Sequence, residues 1–180
     1  MIKRLLDDLL FFVKRPTDER LQLNLKERLL ALIVLFGIKT ILAYGGALIS
    51  DFAEAETHAE GISDSSLEGT LGMFLGIVLV PFIEEIVFRY FLRYERINPW
   101  LINRNKWNAI FPFLVYSSSI AFGLAHIFNF SFSFNHNLWF LYPLLVLPQL
   151  FGGLILAFVR VRFNFRYGVV YHMLWNLIFW

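Results

Sequence analysis

Long apolar stretches recur along the chain, and the charged residues gather between them. Four stretches, at about 29–50, 70–92, 108–128 and 138–159, are long enough for a bilayer crossing, which needs roughly 20 mainly apolar residues. A fifth, 167–180, has only about 14 residues, near the lower limit for a crossing, and is read as a truncated, tilted or partly buried helix. The stretches are continuously apolar, without the polar alternation of a membrane barrel, so helices are expected. The predicted fold class is all-α, a polytopic transmembrane helix bundle.

Residues 1–28 follow a different pattern. Leu5, Leu6, Leu9, Leu10, Phe12 and Val13 fall near helical spacing among Lys3, Arg4, Asp7, Asp8, Lys14 and Arg15. Asp7 and Asp8 interrupt what would be the apolar core of a signal peptide, and no small-residue cleavage site follows. An N-terminal amphipathic helix lying on the membrane surface is expected instead. The chain thus divides into a leader, 1–28, and one membrane-embedded domain of about five transmembrane helices, 29–180.

Composition agrees with this pattern. The 180 residues are 58% hydrophobic and 17% charged, whereas soluble domains are about 45–50% apolar and about 25% charged. There is no cysteine, which excludes disulfides and thiolate chemistry. The net charge is only +2 and no dense run of Lys and Arg occurs, so nucleic acid is not an expected partner.

Charge between the stretches predicts orientation. The leader carries Lys3, Arg4, Lys14, Arg15, Arg20, Lys26 and Arg28, whereas 51–69 carries Asp51, Glu54, Glu56, Glu60, Asp64 and Glu68 without a basic residue. Arg93, Arg96, Arg104 and Lys106 follow, then an uncharged connection at 129–137, then Arg160, Arg162 and Arg166. Basic and non-basic connections alternate without a break. The positive-inside rule places the N-terminus in the cytoplasm and the C-terminus outside, in a multi-pass protein of a prokaryotic cytoplasmic membrane.

The polar groups inside the apolar stretches point to chemistry. An ionisable group near the bilayer centre costs several kcal/mol and marks a functional site by default. The second stretch nevertheless contains Pro81-Phe-Ile-Glu84-Glu85-Ile-Val-Phe-Arg89, the third Phe122-Gly-Leu-Ala-His126, and the fifth Tyr171-His172-Met-Leu-Trp-Asn176. Residues four apart share a helix face, whereas neighbours diverge by about 100°. Glu85 and Arg89 therefore form an internal ion pair, and Glu84 faces elsewhere without an assigned cation. A carboxyl group in an apolar cavity can serve as base or acid. His172 and Asn176 point into one space, where an imidazole and a carboxamide can donate to one oxyanion. His126 can position a water beside Glu84.

Taken together, Glu84-Glu85-x-x-x-Arg89, Phe122-x-x-x-His126 and His172-x-x-x-Asn176 resemble the EExxxR, FxxxH and HxxxN motifs of the CAAX protease and bacteriocin-processing (CPBP, Abi) family, in the same order on three membrane helices. The matched stretch runs from about Pro81 to Asn176. The resemblance implies an intramembrane endopeptidase acting on a membrane-associated, prenylated or leader-bearing protein. It implies that Glu84 activates water, that His126 assists it, and that His172 and Asn176 stabilise the oxyanion, with Glu85, Arg89 and Phe122 supporting. A late helix of the family is expected to be absent, since the chain ends four residues after Asn176.

Other readings remain open at this level. Glu84, His126 and His172 are also the two-His, one-carboxylate set of a catalytic zinc, although no HExxH helix is present; a site without cofactor is preferred. A catalytically idle immunity or partner-binding membrane protein uses the same scaffold. A transporter would be expected to have more helices and paired repeats. Gly72-x-x-x-Gly76 and Gly152-Gly153 read as close helix contacts, Lys39 either pairs with a carboxylate of the second helix or snorkels, and His58 and His136 read as loop residues without a catalytic part. Depth gives a further expectation. With an inner turn at 98–112, Glu84 and His126 each lie about 14 residues from it, about 21 Å at 1.5 Å per residue, whereas His172 lies only about 9 Å past Arg166.

Overall fold

The computed structural model describes residues 1–57, 59–61, 69–96, 101–132 and 140–179; His58 and His136 lie outside them. Eight helices are present among the described residues. Helix α1 is Ile2–Lys14, α2 is Leu25–Thr57, and α3, Thr70–Phe74, continues through a π-turn, Leu75–Leu79, into α4, Val80–Arg89. Helix α5 is Arg104–Ala125, followed by a 3₁₀ turn His126–Asn129. Helices α6, Tyr142–Leu145, α7, Leu147–Arg162, and α8, Phe165–Phe179, complete the all-α bundle. Strands β1, Ala59–Gly61, and β2, Phe130–Phe132, form one small antiparallel ribbon, with Ala59 opposite Phe132. Sequence patterning does not predict it.

Asparagine starts three of the helices. Asn24 Oδ1 accepts from Glu27 N at 3.0 Å while Glu27 Oε2 accepts from Asn24 N at 2.9 Å, a reciprocal capping box that begins α2. Asn103 caps α5 through Lys106 N and Asn164 caps α8 through Tyr167 N. Helix α2 then runs 33 residues, about 50 Å. The expected acidic connection therefore begins later than the sequence pattern places it, with Asp51, Glu54 and Glu56 on the last turns of α2. Ala and Glu there favour helix, and water can satisfy the charges.

Three helical segments are long and apolar enough to cross a membrane, Leu25–Thr57, Thr70–Arg89 and Arg104–Asn129. The fourth apolar stretch is not one helix. Helix α6 gives way at Val146 to α7, and Pro148 at the start of α7 explains the break, because it lacks an N–H and restricts the residue before it. Helices α7 and α8 have 16 and 15 residues, about 24 and 22 Å. Helix α7 is the axis of the bundle: Ile155 to Arg162 are all buried, between α2 on one side and α5 on the other. Its glycines allow this approach. A Cβ on Gly153 would stand 3.1 Å from Ser119 O, and one on Gly123 of α5 would overlap the Leu150 side chain.

Helix α1 is folded onto the bundle by one face. Leu5, Leu9 and Phe12 are buried in the main core, and Phe12 meets Phe158 edge-on at 5.3 Å. Leu10, Phe11 and Val13 are exposed. The segment after α1 is fastened by two buried charges. All five N–H groups of Arg162 are used, on both carboxylate oxygens of Asp8, on the backbone oxygens of Thr17 and Glu19, and on the Thr17 hydroxyl. Asp18 lies 2.8 Å from Arg93 Nη1 and accepts from Trp107 Nε1 and Tyr94 N.

Candidate active site

Helix α4 carries the acidic pair to the centre of the site. Glu85 and Arg89 are both fully buried, and Arg89 Nη1 donates to Glu85 Oε1 at 2.7 Å. His172 Nδ1, from α8, donates to the same oxygen at 3.0 Å. A carboxylate only accepts, so this bond sets the proton on Nδ1 and leaves Nε2 of the neutral ring as an acceptor. Gly168 lets α8 come this close, since a Cβ there would lie 3.2 Å from Glu85 Oε2. Arg160 of α7 holds the end of α4, donating to Arg89 O and Tyr90 O at 3.0 and 2.8 Å. The Ser118 hydroxyl of α5 donates to Phe88 O.

Glu84, one helix position before Glu85, turns away from that pair. Its carboxylate oxygens lie 3.6 Å from His172 Nε2 and 3.9 Å from His126 Nε2. His126 sits just past the end of α5, where its Nδ1 lies 2.8 Å from Phe122 O. A carbonyl only accepts, so Nδ1 carries the proton here too and Nε2 faces Glu84 with its lone pair. Phe122 is central to the packing. Its ring meets His126 at 4.7 Å and His172 at 5.7 Å, and the Arg89 guanidinium lies 3.9 Å above it.

Asn176 is one turn beyond His172 on α8, and its amide donates to Gly76 O at 3.0 Å. The π-turn explains why that oxygen is available. Val80 N bonds back five residues to Leu75 O. The next residue in that register, Pro81, has no N–H to offer Gly76 O. The asparagine amide has two N–H groups, so one remains for another acceptor.

Glu84, His126, His172 and Asn176 all line one cavity of about 520 Å³. The structure thus brings together the four residues assigned to chemistry, with Phe122 on the wall and Glu85 and Arg89 behind it. The depth expectation is corrected. Helix α4 ends at Arg89, not near residue 98, so Glu84 lies five residues from its end, about 7.5 Å. His172 lies seven residues into α8, about 10.5 Å, and the two meet at similar depth. Helix α5 begins lower, beside the leader segment, where Trp107 reaches Asp18.

A family profile, described as type II CAAX prenyl endopeptidase Rce1-like, matches residues 66–178. The chain belongs to this Rce1-like family. The matched region includes α4, α5 and α8 and every residue placed in the cavity above. Rce1-like membership, together with three helices long and apolar enough to cross a membrane, makes this an integral membrane protein of the protease class. No curated protein and no solved structure matches the chain.

Several residues of the site escape sequence reading. Lys39 lines the cavity with its Nζ 3.9 Å from the centre of the Trp175 ring. It neither pairs with a carboxylate of the second apolar stretch among the described residues nor snorkels out, since it is buried against that ring, a berth the sequence does not show. Its one visible signal is a lone charge within an apolar stretch. The Gly76–Pro81 spacing is a readable hint of a freed carbonyl. Gly168, Ser118 and Arg160 carry no local signal, because their partners are on other helices.

Proposed function

We propose that this protein is an intramembrane endopeptidase that hydrolyses a peptide bond of a membrane-associated, prenylated or leader-bearing protein, with water activated by Glu84. The observation that carries the reading is the convergence of Glu84 and the two imidazole Nε2 atoms on one cavity, with each ring held from behind through Nδ1. Separations of 3.6 and 3.9 Å exceed a direct hydrogen bond, so the carboxylate and both Nε2 atoms remain free to bind a water from the cavity. A water giving one hydrogen to Glu84 and the other to His126 Nε2 directs its lone pair at a carbonyl carbon in the cavity. Glu84 takes the proton as the C–O bond forms, then returns it to the departing amine as the C–N bond breaks. The spare N–H of Asn176 is an oxyanion donor, and His172 becomes a second one when its ring carries a proton on Nε2.

A zinc-dependent version is the second reading. Two Nε2 atoms and a carboxylate are a catalytic zinc donor set, and both rings are oriented by an acceptor on Nδ1, as ligating histidines are. Glu84, His126 and His172 would hold the ion, which would supply a Lewis acid. The deciding assay uses purified protein stripped with a strong chelator and given a farnesylated peptide ending in three residues after the cysteine. Cleavage is expected to persist. Loss with recovery on added zinc would establish the second reading. A folded protein that cleaves neither this peptide nor a leader-bearing one under either condition would leave the idle immunity or partner-binding role.

The alternating basic and non-basic connections support a cytoplasmic N-terminus. Cysteines placed singly at Glu56 and Arg96, both exposed, test this in a chain without cysteine. Residue 56 is expected to react with an impermeant maleimide only from outside and residue 96 only from inside. The reverse pattern would invert the orientation.

A further inference from the structure

The mechanism above leaves one buried charge in the cavity unused. Lys39 is 5% exposed, on a helix long and apolar enough to span a membrane. Its ammonium is held over the faces of Trp175 at 3.9 Å and Tyr171 at 5.7 Å, and it makes no ion pair with a carboxylate of the described residues. Two features make room for it. Gly152 faces its stem, where a Cβ would stand 3.2 Å from Lys39 Cε. Helix α8 presents two rows of residues four apart: His172 and Asn176 face α4 and the π-turn, and Tyr171 and Trp175 face Lys39. The water-activating carboxylate and the ammonium line the same cavity, on the two sides of α8. Gln149, whose buried Oε1 has no hydrogen-bond partner among the described residues, lines it as well.

A buried cation is costly unless an anion or an aromatic face compensates it. Two rings supply part of that compensation in Lys39's surroundings, and the carboxylates of Glu84 and Glu85 act on it from beyond contact distance. No anion among the described residues touches it, which leaves room for an anionic ligand. A cavity of about 520 Å³ is of the size that takes a drug-sized ligand, comparable to a short peptide rather than a folded chain. A peptide that ends inside it places its terminal carboxylate in the same low-dielectric space, where that group must also be paired. We propose that Lys39 binds the free C-terminal carboxylate of the substrate, within the same cavity as the bond attacked beside Glu84. This rests on the protease reading and names the group that sets its specificity.

The test has a binding arm and a cleavage arm. In the first, trileucine and its C-terminal amide are titrated against the purified full-length protein by calorimetry. The carboxylate form is expected to bind at least tenfold tighter, and Lys39→Met to remove the difference by weakening only that form. In the second, farnesylated peptides ending in carboxylate or amide are cleaved. Lys39→Met is expected to raise KM for the carboxylate peptide about tenfold, to the value for the amide, with kcat within about threefold of wild type. Lys39→Arg is expected to keep the preference. Equal binding of both forms by the wild type would overturn the proposal. So would an equal fall in kcat on both peptides, which is the signature of a charge partner for Glu84. Failure of both Lys39→Met and Lys39→Gln to fold would assign the ammonium to the scaffold and overturn it as well. If the wild type binds the carboxylate selectively and cleaves neither peptide, the protease reading fails and the carboxylate site stands.

Discussion

Replacing Glu84 by Gln is expected to lower kcat for peptide cleavage by about 100- to 10,000-fold, the range a general base supplies. The amide keeps the size of the side chain but cannot take a proton from water. Folding is expected to survive, because Glu84 is partly exposed to the cavity and the two imidazoles nearest it are 3.6 and 3.9 Å away. The change removes a carboxylate that acts on Lys39 and Arg89 only from beyond contact distance, and their direct partners remain. The measurement is single-turnover cleavage beside a melting curve in detergent. KM is expected to stay near wild type, since the substrate contacts remain. Activity within tenfold of wild type would remove Glu84 as the base, and a collapsed melt would make it structural.

The largest stability effect is expected from Arg89→Met. It strands Glu85, which is fully buried and would keep only His172 as a partner. Removing one member of a buried pair costs about 3–5 kcal/mol, which on the scale of globular domains of this size lowers the melting temperature by about 6–20 °C. The double variant Glu85→Gln, Arg89→Met is expected to recover most of the loss, because the amide carries no charge. It is not expected to recover activity, since Glu85 orients His172. A single variant that melts with the wild type would show that the pair gives no net support to the bundle.

The difference between the two acidic residues was legible because it depends only on helix geometry: Glu85 and Arg89 are one turn apart, so Glu84 must face elsewhere. The three motifs were legible for the same reason, as ionisable groups at helical spacing in apolar surroundings. What escaped depends on contacts between distant parts of the chain. Nothing near Lys39 reveals that Trp175 and Gly152 make its berth. The depth of His172 was misjudged because α4 stops at Arg89, where Arg160, 71 residues later, caps its carbonyls. The break before α7 was readable at Pro148, but the apolar run hid it.

The fastening of Asp8 to Arg162 has a consequence for how the protein is made. The two residues are 154 positions apart. At 5–20 residues per second, the ribosome needs about 8–30 s to add the second after the first. Throughout that interval the α1 face carrying Leu5, Leu9 and Phe12 has no α7 to cover it, while the helices that cross the bilayer are being inserted. A surface-seeking amphipathic helix has a holding place available in the lipid interface. Docking of α1 is then a transfer from lipid to protein, made once Arg162 exists, and it closes the assembly rather than starting it.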